Sequence, residues 1–316
     1  MKSTGRFTSE LLRLRNQSYD TCRKCGATLP KGVAAYAGYS SEGSPLYVGE
    51  CCLASVSELA SHVYWWWESD KRVDPNTVLW RYVDFAKFVS LLEERSLHFA
   101  RADQLEDPFE AASGSVDNRS RWDAHYLEFF RNAIRTVPGR QEPASEEDVE
   151  KEAQRLLREF SEGAELDRKR LFVSCWHANA GESEALWRLY CSPPSPGVAI
   201  QTRADYLLDA IGDAPIELGK VLYVDFRTGF AGVHERIFTK RKSLNHEAEV
   251  RLVLRKWTKD PGLGVSVPAD LGRLITAVVP SPFAPTWFGS LVEKTLSRYN
   301  VNANVRRSEL LAEPFF

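Results

Sequence analysis

The placing of the cysteines constrains this chain more than any other feature. Cys22, Cys25, Cys51 and Cys52 fall in the first fifth of the 316 residues, while Cys175 and Cys191 stand singly far downstream. A disulfide framework would spread its cysteines over the region it staples, in a small secreted chain. Cys22-Arg23-Lys24-Cys25 instead has the two-residue spacing that lets both sulfurs reach one tetrahedral ion. Gly26 suits the tight backbone of such a knuckle. Cys51 and Cys52 would supply the other two ligands. Neighbouring side chains diverge in a strand, so the pair needs a turn, and CCLASVSELASH reads as a turn opening a helix. His62, in the same stretch, is the alternative to one cysteine of the pair. The competing reading is a buried thiol cluster without metal. The spacing predicts a Zn2+ site in a small, zinc-ribbon-like module over residues 21–70. With every ligand position filled, the site is structural and not catalytic.

Residues 1–20 read as a basic arm, helical around Leu11, Leu12 and Leu14. After the module, aromatic residues accumulate in HVYWWWESD, and the polar joint DKRVDPN closes the segment. A regular pattern then begins, and residues 75–316 are assigned to one larger domain. TVLWRYV reads as a strand, and Phe85, Phe88, Val89 and Leu92 recur at helical spacing behind the N-cap candidate Asp84. LHFARA is a short strand. Residues 114–170 read as a helical insertion, with Trp122, Tyr126, Phe129, Phe130 and Ala133 on one face of its first helix. Its second helix carries Val149, Ala153, Leu156, Leu157 and Phe160, opened by Ser145 and Asp148 in a capping arrangement. RLFVSCW, GVAIQT, KVLYVDF, EVRLVLR and LITAVVP follow as strands. A short helix over 185–190 separates the first two, and a helix over 287–299 precedes a last strand, NANVRRSEL. Many short strands with few helices between them predict an α+β fold with a mixed, largely antiparallel sheet.

The net charge of −2 provides no global attraction for nucleic acid or anionic membrane. No apolar stretch is long enough to span a bilayer, and the first residues lack the apolar core of a secretion signal, so a cytoplasmic address is expected. Nucleic acid enters only as a partner of the zinc module and the WWW stretch, whose aromatics suit stacking on bases.

Three strand segments carry candidate chemistry. Trp80-Arg81-Tyr82 places an arginine inside an apolar strand, and Phe172-Val173-Ser174-Cys175-Trp176 places a serine at a strand centre. Glu247-Ala248-Glu249-Val250 opens a strand with two carboxylates at alternate positions, which predicts that both point to one face. Arg251 lies on that face too, and an ion pair with it is the main rival to a catalytic role for Glu249. Asp107, before Pro108, suits an Asx-turn. His177 reads as a loop residue, and Trp187 and Tyr190 as core.

Two resemblances follow from these pieces. Arginine strand, helix, serine strand and E-x-E strand, in that order, resemble the arginine–serine–glutamate class of mono-ADP-ribosyltransferases. FVSCW stands where that family has F-x-S-T-S, and HEAEVRLVL resembles its E-x-E-V-L-L strand. From about residue 78 to 316 the chain also resembles the bacterial family called domain of unknown function 2971. The matching pieces are LWRYVD, FARADQLEDPFEA, FVSCWHANAGESEALWRLY with PGVAI, and KRKSLNHEAEVRLVLR.

The first resemblance implies an ADP-ribosyltransferase-like or NAD-cleaving effector, with the zinc module recruiting a macromolecular acceptor. Glu249 would stabilise positive charge on the ribose, Glu247 would act on the acceptor, and Arg81, Tyr82 and Ser174 would hold NAD. All four of Arg81, Ser174, Glu247 and Glu249 are then expected on one concave surface. The alternative from another class is a non-catalytic α+β protein that binds a ligand or nucleic acid and carries a structural zinc site.

Overall fold

The computed structural model describes residues 12–15, 20–22, 25–39, 45–52, 73–136, 144–191, 195–212, 214, 216–232, 236–256, 258, 260 and 262–316. The chain divides into two compact units. The first comprises Met1–Asp70, Leu105–Arg170 and Leu222–Lys242, and the second Lys71–Gln104, Leu171–Val221 and Ser243–Phe316. His62, the WWW stretch and the expected helix after Cys52 lie outside the described residues.

The N-terminal module is built of short strands. β1 (Leu12–Arg15), β4 (Ala34–Tyr39) and β5 (Pro45–Gly49) form an antiparallel sheet in the order β1–β4–β5, beside the two-residue hairpin of β2 (Asp20–Thr21) and β3 (Thr28–Leu29). The expected helix around Leu12 and Leu14 is therefore corrected. Leu12-Arg13-Leu14-Arg15 alternates with period two, the spacing of a strand, and pairs with Arg15 opposite Ala34. Among the described residues the module's core comprises Cys22, Leu29, Ala35, Tyr36, Ala37, Tyr47 and Val48, with Cys52 packed against it.

In the remainder of the first unit, α2 (Arg119–Arg135) and α3 (Glu146–Arg168) form a helical hairpin. Ile134, Val149 and Ala153 are its buried seam, joined by Leu127, Phe130 and Leu156, and Trp122 stacks on Phe160 at 6.0 Å. Ser145 caps α3 by accepting from the Asp148 amide, as its sequence suggested. The expected single strand KVLYVDF is divided. Lys220 closes one strand of the second unit, while Leu222–Val224 (β11) pairs in parallel with Thr239–Arg241 (β12) in the first.

The second unit holds a nine-stranded sheet. Its strands are β6 (Val78–Asp84), β7 (Ser96–Arg101), β8 (Leu171–His177), β9 (Gly197–Arg203), β10 (Ile216–Lys220), β13 (Glu249–Arg255), β14 (Gly264–Pro268), β15 (Ala277–Pro280) and β16 (Asn304–Val305). The main order is β10–β13–β8–β6–β9–β15–β16, with β7 paired to β8 and β14 to β7. All pairs are antiparallel except β15 with β16, so the fold is α+β with a mixed, largely antiparallel sheet. The helices are α1 (Phe85–Glu94), α4 (Glu184–Tyr190), α5 (Ala204–Ile211), the single turn α6 (Leu271–Leu274) and α7 (Phe288–Arg298). Asp84 caps α1 by accepting from the Lys87 amide. Trp187 is fully buried, whereas Tyr190 is 42% exposed, which corrects its assignment to the core. No helix among the described residues is long and apolar enough to cross a membrane.

Candidate metal centre and the Arg81 face

The sulfurs of Cys22, Cys25, Cys51 and Cys52 all lie within 4.8 Å of one another, with Cys25 and Cys51 3.6 Å apart. A tetrahedron with Zn–S bonds of about 2.3 Å has S···S edges of about 3.8 Å, so this grouping can hold one metal ion. Local backbone explains how. The first knuckle is closed by Gly26 N donating to Cys22 O at 2.9 Å and Cys22 N to Ala27 O at 2.8 Å. Gly26 takes φ +75°, a left-handed conformation that side chains disfavour. The adjacent pair converges because Gly49–Cys52 is a turn, with Cys52 N donating to Gly49 O at 2.9 Å. A Cβ on Gly49 would stand 2.5 Å from Leu29 Cδ2 and 3.0 Å from Cys51 Sγ. A bridge between Cys22 and Tyr47 brings the two halves together.

The four sulfurs are not equivalent. Cys22 is buried and accepts from Gly49 N at 3.5 Å, Cys52 is half-buried, and Cys25 and Cys51 are exposed. Desolvation first, then hydrogen bonds with Cys25 and Cys22, push the Cys51 thiol up to about 11 and the Cys52 thiol up to about 12. The Cys51 and Cys52 thiols therefore hold their protons until a cation replaces them.

In the second unit, the strands bearing the glutamate, the serine and the arginine are neighbours, β13–β8–β6. Register then separates the side chains. Glu249 lies opposite His177 and Leu252 opposite Ser174. Cross-strand partners share a face and successive residues alternate, so Glu249, Arg251, Cys175 and His177 lie on one face and Ser174 and Trp176 on the other. Trp80 pairs with His177, which puts Trp80 and Tyr82 on the Glu249 face and Arg81 with Ser174. Side-chain contacts agree. Arg81 Nη1 donates to Ser174 Oγ at 2.8 Å, while the Tyr82 and His177 rings are 6.0 Å apart. The expected convergence of Arg81, Ser174, Glu247 and Glu249 is therefore corrected: Arg81 and Ser174 meet, and Glu249 lies behind them.

Glu249 is engaged by Arg251. Nε donates to Oε1 at 2.7 Å and Nη2 to Oε2 at 3.4 Å, with side chains 2% and 0% exposed. Glu247 does not share the strand. It ends a 3-10 turn over Lys242–Glu247, and Ala248 between the two carboxylates takes φ +43°. A left-handed residue breaks the alternation on which the one-face expectation rested. Ala248→Gly is expected to raise unfolding free energy by about 1 kcal/mol, since glycine adopts this backbone without steric cost. Denaturant titration reads that gain, and a loss of stability would show that Ala248 is not strained.

His177 closes β8, buried, with Nδ1 2.8 Å from Glu247 O, and is not the loop residue its sequence position suggested. A carbonyl only accepts, so Nδ1 carries the proton. Tyr82 is buried with its hydroxyl accepting from Ser183 N at 3.0 Å, and burial pushes its pKa up to about 12. Asp107 makes the expected Asx-turn to Phe109 N and pairs with Arg241 Nη2 at 2.7 Å in the first unit.

Arg81 remains the distinctive group. Its partners are Ser174 Oγ, the carbonyl of His98 at 3.4 Å and the Trp176 ring, whose centroid is 5.6 Å from Cζ. No carboxylate among the described residues pairs with it. It is half-buried, and desolvation lowers its pKa from the ordinary arginine value. Trp176 is fully buried on the same face, and its Nε1 has no hydrogen-bond partner among the described residues. The sequence singled out Arg81 and Ser174 but not Trp176, whose only signal was a tryptophan two residues beyond the serine in the same strand.

No family model matches the chain. Searches of curated proteins and of solved structures likewise give no match.

Proposed function

We propose that this chain is a ligand-binding protein with a structural zinc site, and that its α+β unit takes a phosphate-bearing ligand of the nucleotide class, NAD included, at Arg81. The observation carrying this reading is the half-buried Arg81 guanidinium, whose partners among the described residues are a hydroxyl, a carbonyl and an aromatic ring. An arginine stays charged in proteins, and its planar fork matches the oxygens of a phosphate. Its partial exposure leaves an approach from solvent. An anion there supplies the missing counter-charge through charge-assisted hydrogen bonds.

The binding reading is favoured over NAD cleavage because the carboxylate that would stabilise a ribosyl cation has to stand beside Ser174. Glu249 faces the other way, held by a buried guanidinium. The metal ion is read as zinc because the donor set is all sulfur and four in number, with no open position for substrate.

Calorimetric titration with NAD and with ADP-ribose tests the ligand. Arg81→Met is expected to weaken binding at least about tenfold, equivalent to about 1.4 kcal/mol. Without ligand, the same variant is expected to melt no lower than the wild type, because it removes a charge that no carboxylate among the described residues pairs with. Absence of binding at millimolar nucleotide would sink the ligand assignment. Nicotinamide release that disappears in Glu249→Gln would restore the catalytic reading.

A further inference from the structure

We infer that the metal centre is also a thiol-oxidation site, at which a peroxide joins Cys25 to Cys51 and expels the metal. The inference rests on the zinc reading above and on the asymmetry of the four sulfurs. Cys22 is 1% exposed, and its sulfur accepts a hydrogen bond from Gly49 N, which draws electron density from it. Cys25 and Cys51 are exposed, and their sulfurs are 3.6 Å apart. The two accessible ligands are therefore close neighbours, about 1.5 Å short of a disulfide bond length of about 2.05 Å. Metal-bound sulfur is a thiolate, which is the form that attacks peroxide, and exposure decides which thiolate is reached.

The chemistry balances within the site. One exposed thiolate attacks hydrogen peroxide, breaking the O–O bond to give a sulfenic acid and hydroxide. The second thiolate attacks that sulfur, forming the S–S bond and releasing the sulfenic oxygen as a second hydroxide. Two protons from solvent turn both hydroxides into water. The sulfurs give up two electrons in total and the peroxide is reduced by the same two. The metal, left with Cys22 and Cys52 alone, is released as the divalent ion. With seven core side chains among the described residues, the module takes its order from that ion, so oxidation uncouples whatever the module holds.

The experiment treats the full chain, as purified with its zinc, with hydrogen peroxide. Released metal is followed with a chromogenic chelator and disulfides are mapped by mass spectrometry after alkylation. Roughly one zinc per chain is expected to appear, together with a Cys25–Cys51 linkage. Both should be reversed by a dithiol reductant and added zinc. Cys191 is the internal control: it is buried, with its thiol pushed up to about 12 by burial first, and should remain a thiol. Zinc retained under peroxide, or a first linkage through Cys22, would overturn the inference. Protein that carries no zinc when purified fails the metal assignment itself, which is a separate result read before peroxide is added.

Discussion

Stripping the metal with a strong chelator, or replacing Cys22 with serine, is expected to unfold the N-terminal module. Among the described residues its apolar core is Cys22, Leu29, Ala35, Tyr36, Ala37, Tyr47 and Val48, a set too small by itself to offset chain entropy. Structural zinc in modules of this size contributes about 10–16 kcal/mol of apparent binding free energy near neutral pH, and that free energy is folding free energy. Amides of β4 and β5 should lose protection from hydrogen exchange, while those of β8 and β13 keep theirs. Acid should have the same effect. The metal-free Cys51 and Cys52 thiols have raised pKa values, so zinc must displace their protons, and its affinity falls as pH falls. Full protection of β4 and β5 in metal-free protein would show that the module folds on its apolar residues alone.

Glu249→Gln is expected to destabilise the second unit by about 3 kcal/mol. The carboxylate and Arg251 are both buried and doubly bonded, and the substitution leaves a fully buried guanidinium facing a neutral amide. Part of the cost is the buried charge that loses a carboxylate, so removing both partners should be milder. Glu249→Leu combined with Arg251→Met is expected to recover a large part of the loss, because apolar replacement of a buried pair is often neutral. Chemical denaturation of the two variants separates these outcomes. An unchanged midpoint for Glu249→Gln would mean that the carboxylate does not hold the strand, and would reopen a catalytic role for it.

Much of the framework was legible from local pattern. The four-cysteine cluster followed from a two-residue spacing and an adjacent pair. The helices over 119–135 and 146–168 followed from apolar residues at helical intervals. Asp84 and Ser145 were readable as caps because capping is a contact within one turn. The pairing of Arg251 with Glu249 was available too, since residues two apart in a strand share a face. What stayed hidden depended on the pairing of distant segments. Whether Ser174 shares a face with Glu249 is decided by register, and a shift of one residue would have put both on one face. The E-x-E pattern misled because φ at Ala248 is positive, and an alanine carries no sign of that in its letter. β10, with a glycine in IELGK, and the four-residue turn α6 have too little periodicity to stand out.

The pairing of β7 with β8 bears on how the second unit assembles. Arg101 lies opposite Phe172, so the chain leaves the sheet and re-enters it at adjacent points, with the whole helical excursion strung between them. Bringing those two points together in an unstructured chain costs entropy that grows as about 1.5 RT ln n, or about 0.6 kcal/mol for each doubling of length. Against a tight turn, an excursion of this length adds about 2 kcal/mol to closing the centre of the sheet. The cost shrinks if α2 and α3 dock on each other first, because a folded hairpin holds its own ends. Order of events is thereby written into the topology: contacts near in sequence, such as those of the helical hairpin, lower the barrier for the distant strands that must follow.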